Sequence, residues 1–147
     1  QEIELYRNRK NGYLDALKKH NIELNDDYCI ESNLTEKDGI VSAKKILDLK
    51  NVDGIYSAND TSAISAIQYL KSKGIIIPKD IAVVGFNNDS ISAVIEPSLT
   101  TVNQPDFEMG NISADLLLEQ IQEKSTITKN KSILLNSELI IRNSTTI

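Results

Sequence analysis

NVDGIYSANDTSAISAIQYLKSKGIIIPKDIAVVGFNNDSISAVIEPSLTTVNQP, residues 51–105, is the stretch whose reading decides the fold. Two short apolar runs, Val52–Tyr56 and Ile81–Phe86, flank a segment in which Ala63, Ile67 and Leu70 fall on one helical face. Each run ends in small polar residues, Ser57-Ala58-Asn59-Asp60 after the first and Asn87-Asn88-Asp89 after the second. Strand, polar tip, helix, strand, polar tip is the order of an open α/β sheet, which presents ligands beyond the carboxyl ends of its strands. Residues 81–86 are apolar on both faces, as a central parallel strand covered by helices would be.

Working outward, residues 4–20 read as a helix, with Tyr6, Tyr13 and Leu17 recurring at helical spacing and Leu14 and Ala16 broadening the face. Gly12 weakens that helix by about 1 kcal/mol relative to alanine, which points to close packing or to room for a ligand. Residues 27–31 read as a short strand. Thr35 and Asp38 form a capping box that opens a helix running to about Lys50, with Ile40, Ala43, Ile46 and Leu47 facing inward. Asp60 is expected to cap the following helix, Gly74 to end it, and Pro78 with Asp80 to turn the chain into the strand at 81–86. A short helical turn at 90–95, stopped by Pro97, leads to an extended crossover at 100–103. Asp106 then caps a helix at 107–123, with Met109, Ile112, Leu116, Leu117 and Ile121 inward. A polar connection at 124–131 precedes a last strand within 133–142, antiparallel or at an edge. Strands alternating with helices predict an α/β fold: an open, mostly parallel sheet with helices on both faces.

A chain of 147 residues with 40% apolar content suits one domain. Its net charge of −5 opposes contact with a phosphate backbone, so this chain is not expected to bind DNA by itself. The one cysteine, Cys29, excludes an internal disulfide and reads as a buried thiol. His20, the one histidine, lies at a helix end and reads as a favourable C-terminal cation or as a solvated residue. The sequence shows no Ser-His-Asp or Cys-His set, zinc-type cluster, G-x-G-x-x-G or Walker loop. No catalytic residue, metal or cofactor is therefore assigned, and no apolar run is long enough to span a bilayer.

Candidate ligand-binding residues follow from strand order. Asn59 and Asn87 both follow strands and should share the carboxyl edge of the sheet. Arg9 lies in the first half of a helix that, by alternation, starts at that edge. One guanidinium and two amides offer several donors together with carbonyl acceptors, an inventory that suits a neutral or anionic polyhydroxylated ligand.

The motifs Arg9-Lys-Asn-Gly-Tyr13, Ala58-Asn59-Asp60, Ile75 to Pro78 followed by Asp80, Val83-Val84-Gly85-Phe86-Asn87-Asn88, Pro97-Ser-Leu-Thr-Thr-Val102 with Gln104-Pro105, and Glu138-Leu-Ile-Ile-Arg142 followed by Asn143-Ser-Thr145 occur in order over almost the whole chain. In these the sequence resembles the lactose/galactose-repressor (LacI/GalR) family of transcription regulators. The resemblance implies a periplasmic-binding-protein-like type I lobe of three αβα layers, with residues 1–147 a fragment of the effector-binding domain, mainly its C-terminal lobe. Residues 104–126 would be a crossover and helix belonging to the other lobe, and the DNA-binding headpiece would be absent; the start at Gln1 agrees with a fragment. It also implies effector contacts by Arg9, Asn59, Asn87 and Gln104, a capping role for Asp60, and a homodimer interface near Ile64, Ile91 and Ile95. The implied function is cytoplasmic sensing of a sugar-like effector, coupled to operator DNA through the headpiece. The alternative is a periplasmic or secreted sugar-binding protein of a transport system. Two departures stand out: Asn87 occupies a position where the family usually has aspartate, and Asn33-Leu34 lacks the aromatic ring that many members use for stacking. Cut from the other lobe, the apolar stripe of the 107–123 helix is expected to fold back or to meet a neighbouring chain.

Overall fold

The computed structural model describes residues 4–123 and 132–146. Helices α1 (Glu4–Lys19), α2 (Glu36–Asp48), α3 (Asp60–Ser72) and α4 (Asp106–Glu123) alternate with strands β1 (Gly54–Tyr56), β2 (Ala82–Asn87), β3 (Thr100–Asn103) and β4 (Glu138–Ile140). The sheet is mixed, in the order β1-β2-β3-β4: β2 lies parallel to both β1 and β3, and β4 closes the far edge antiparallel to β3. Every strand read from the pattern is present except 27–31, where a 3-10 turn spans Asp26–Tyr28. An extended run needs a neighbour to accept its backbone bonds, and no strand among the described residues pairs with 27–31. Cys29, expected to be buried, is half-exposed there.

Side-chain alternation along β2 separates two faces. Val83 and Gly85 face α3, and Val83 joins Ala63, Ile67, Leu70, Ile81 and Leu99 in the core. Phe86 points the other way, toward α1. Tyr56, in register with Val84 on that second face, stacks on Tyr13 of α1 at 6.4 Å between ring centroids. Helices thus touch both faces, but unequally. α1 buries no residue fully, with Tyr13, Leu14 and Leu17 only half-covered, while Tyr6 and Ala16 are exposed. A Cβ at Gly12 would meet nothing within 4 Å, which leaves open space there and not close packing.

α2 begins as its sequence dictates: Thr35 Oγ1 accepts from the Asp38 amide, and the Asp38 carboxylate accepts from Thr35 in return. Its inner face differs from the expected one. Gly39 and Ala43 are buried against α3, Ile46 is half-buried, and Ile40 and Leu47 are exposed. The small residues let the two helices approach so closely that the larger side chains are pushed outward. At the start of α3 the cap is Asn59, not Asp60: Asn59 Oδ1 accepts from the Ser62 amide at 3.0 Å. Asp60 is the first helical residue and is 0% exposed. Gly74, at φ 84°, ends α3 as expected.

In α4 the cap and the fold-back that were expected are not found. Asp106 is its first residue, and its apolar stripe neither folds back nor packs on the sheet: Phe107 is 84% and Ile121 64% exposed, and Met109, Leu117 and Leu118 are also open, with Ile112 and Leu116 half-covered. The chain leaves the sheet at Asn103, and the helix projects from the core that α2, α3 and the strands complete without it. The connection at 124–131 lies outside the described residues.

Candidate functional site

Arg9, Asn59, Asn87 and Gln104 all lie at the carboxyl rim of the parallel strands. Arg9 Nη1 donates to the Ala58 carbonyl just beyond β1, and its guanidinium carbon lies 3.6 Å from the centroid of Phe86 near the end of β2. A second ring, Tyr6, lies 5.5 Å away. Arginine is bound there partly as a cation over a π face. Burial lowers the Arg9 pKa below its ordinary value, with Tyr56 and then Tyr6 opposing the shift. The same burial raises Tyr56 above the usual tyrosine range, with Arg9 opposing it.

Asn59 does two structural jobs. Besides capping α3, its Nδ2 donates to the Leu34 carbonyl at 2.9 Å, tying the entry to α2 to the rim. That leaves it one N–H and spare acceptor capacity. Asn87 and Gln104 meet: Gln104 Nε2 donates to Asn87 Oδ1 at 3.0 Å. Asn87 and Asn88 have φ of 116° and 58°, a left-handed stretch that asparagine tolerates better than bulkier residues. A hollow of about 180 Å³ adjoins Gln104, lined also by Pro105, Met109, Ile133, Leu135 and Ser137.

Three participants have roles that the sequence reading did not assign to them. Phe86 supplies the ring beneath Arg9, although the apolar run containing it reads as core. Arg142 donates from Nη2 to Asn88 Oδ1 at 2.7 Å and from Nη1 to the Leu99 carbonyl at 2.8 Å. Asn88 Nδ2 in turn donates to Asn103 Oδ1 at 3.0 Å. The tail motif contained Arg142, but nothing in its spacing indicates a partner 54 residues away. Asp60 is the third: its carboxylate accepts from the Asp89 amide, Ser92 Oγ and Thr101 Oγ1 and so holds the turn beyond β2 against α3 and β3.

The interface residues divide differently from expectation. Ile64 is 8% exposed and belongs to the core of this chain, and Ile95 packs half-buried against it. Only Ile91 presents itself at the surface, 49% exposed beside the open Val94.

Asp89 carries a pH-dependent penalty. Desolvation first, then Asp60 and Asp106, raise its pKa above the ordinary aspartate range. The stability that this shift brings is fully present below the unfolded pKa of about 3.9 and is lost as pH rises through the higher folded value. At neutral pH the ionised Asp89 therefore destabilises the fold modestly, since solvent still screens part of its half-buried carboxylate. Asp89→Asn is expected to raise the melting temperature at pH 7 and to change it little near pH 3. Equal shifts at both values in thermal unfolding would assign the effect to something other than charge.

Residues 1–145 match the family described as periplasmic binding protein-like domain. The chain belongs to that family. This domain is 34% identical over 137 residues to the probable HTH-type transcriptional repressor ExuR of Bacillus subtilis, covering 92% of the chain and 40% of the relative. It is 31% identical over 146 residues to the HTH-type transcriptional repressor CytR of Escherichia coli K12, covering 99% of the chain and 42% of the relative. Among solved structures, the transcriptional regulator CelR–cellobiose complex superposes with a TM-score of 0.86 at 30% identity over 92% of this chain and 41% of that one. A LacI-type putative regulator from Bacillus cereus gives 0.88 at 26% identity over 95% of this chain and 49% of that one. These relatives are transcriptional regulators, and the periplasmic binding protein-like domain described here spans about two-fifths of the curated ones. Among the described residues no helix is long and apolar enough to cross a membrane.

Proposed function

We propose that this chain is the effector-sensing lobe of a LacI-type transcription regulator, binding a small sugar-like molecule through Arg9, Asn59, Asn87 and Gln104. The observation that carries this is the seat of Arg9, on the Ala58 carbonyl and the Phe86 ring, each one residue from a candidate amide. A single solute beyond the strand tips can then reach side chains from α1, β1, β2 and the segment after β3. In the intact protein the second lobe closes over this rim, and residues 104–126 belong to that lobe. The open stripe of α4 is what such a helix would show without its lobe. Effector binding biases the angle between lobes, and a homodimer passes that bias to paired DNA-binding headpieces in the cytoplasm, with coupling of about 1–3 kcal/mol. The net charge of −5 agrees with operator contacts made only by the headpiece. Ile91 and Val94 are the apolar pair available for a dimer contact. The lobe acts by binding, without catalysis, metal or cofactor.

A transport-type sugar-binding protein shares the fold, but the relatives named as repressors favour the regulator. Selection of sheared genomic DNA by the intact protein tests this: a few discrete sites should be enriched. No enrichment above background rejects the regulator. Arg9→Gln in that protein is expected to weaken the effector about 10- to 100-fold, as loss of a charged hydrogen-bonding group does, while leaving thermal stability nearly intact because α1 buries no residue. Calorimetry with unchanged affinity would remove Arg9 from the site.

A further inference from the structure

Arg9 is a half-covered cation with no carboxylate paired to it among the described residues. The ion pairs among the described residues join Arg7 to Glu4 and Lys10 to Glu31, both at the surface. Arg9 Nη1 is satisfied by the Ala58 carbonyl, but Nε is buried with no hydrogen-bond partner. Withdrawing a cation from water is costly unless an anion or hydrogen-bond acceptors compensate, and the Phe86 ring compensates only in part.

The amides around it add donors. Asn87 Oδ1 is engaged by Gln104, so the Asn87 amide NH2 is left with no bond among the described residues. Gln104 and Asn59 each keep one further N–H. Turning both amides of the Asn87–Gln104 pair round leaves the same sum, because the pair consumes one donor and one acceptor either way. The acidic groups near the β2 tip lie elsewhere. Asp60 is on the α3 side of the sheet, opposite Phe86, with its oxygens taken by Asp89, Ser92 and Thr101. Neither Asp89 nor Asp106 forms an ion pair with Arg9. Among the described residues the rim is therefore rich in donors and positive at Arg9, with no carboxylate paired to that cation.

From this surplus we infer that the site selects an acidic polyol: a sugar carrying one carboxylate or phosphate, its anionic oxygens on Arg9 and its hydroxyls on Asn59, Asn87 and Gln104. The inference rests on the sensing reading above and names its ligand class. Asn87 is the specificity-determining residue, since a carboxylate in its place would grip hydroxyls more strongly and repel the anionic group.

Titration calorimetry of the intact protein tests this with glucuronate, galacturonate and glucose 6-phosphate against neutral glucose and galactose, at matched ionic strength. At least one acidic probe should bind at least about tenfold more tightly than its neutral parent, and the uronate and phosphate arms show which anion is taken. Asn87→Asp should reduce that preference about tenfold or more, and Arg9→Gln should abolish it. If a neutral hexose binds as tightly as its acid, the charge selectivity is overturned while the sensing reading stands. If no probe of either kind binds, the sugar-like sensing reading falls and takes this inference with it.

Discussion

Asp60→Ala is expected to lower stability by about 2–4 kcal/mol, because it orphans the Asp89 N–H and the Thr101 hydroxyl, worth about 1–3 kcal/mol each before relaxation, while Ser92 Oγ keeps the Asp89 carbonyl as acceptor. The carboxylate is 0% exposed. Its Oδ1 accepts from Thr101 Oγ1 at 2.7 Å, and its Oδ2 accepts from the Asp89 amide at 2.8 Å and from Ser92 Oγ at 3.1 Å. One side chain at the start of α3 thus fixes β3 and the turn that follows β2. Gly85 is part of the same construction, since a Cβ there would overlap Asp60 Oδ1 and lie 2.8 Å from Leu99 Cδ2. Asp60→Asn keeps the shape but aims an NH2 at donors, and should fall between wild type and alanine. In urea unfolding, a loss below about 1 kcal/mol for Asp60→Ala would show that the Asp89 N–H and the Thr101 hydroxyl find other partners. The effect should extend to the rim: amide exchange at 87–92 should accelerate more than exchange within α2.

Gly39→Ala should reverse the usual sign of a helical glycine substitution. In an open helix the change stabilises by up to about 1 kcal/mol. At Gly39 a Cβ would overlap the Ser62 carbonyl oxygen and lie 3.0 Å from Ser65 Cβ. A backbone carbonyl cannot rotate aside, so α2 must lift from α3 at a cost of about 1–3 kcal/mol, more for valine. Gly12→Ala is the internal control. A Cβ there meets nothing within 4 Å, and the substitution should stabilise by up to about 1 kcal/mol. Opposite signs at the two glycines in chemical denaturation would confirm helix contact as the cause. Stabilisation at both would mean that the two helices lie farther apart than their packing requires.

Much of the fold was legible because its signals are local. The capping box at Thr35, the stop at Gly74 and the apolar run ending in Asn87 each encode backbone geometry within a few residues. The misreadings share one cause, the need for a partner. Residues 27–31 have strand-like composition but no neighbouring strand to pair with. Ile40 and Leu47 fit an amphipathic pattern, yet the closest approach to α3 is made by Gly39 and Ala43. Asp60 matches a cap in sequence, but the residue before it caps, and the carboxylate turns to three groups 29 to 41 residues distant.

By itself the sequence determined the order of strands and helices from α2 onward, the two polar strand tips, and the placement of Arg9, Asn59 and Asn87 at a common edge, because periodicity and turn chemistry act between near neighbours. Only the tertiary structure decided that Arg9 lies on Phe86, that Asn87 bonds to Gln104, that Arg142 holds Asn88, and that the stripe of α4 remains uncovered. Those outcomes depend on distances between segments far apart in the chain, set by how closely helices and strands can pack once glycine, alanine and buried carboxylate have taken their places.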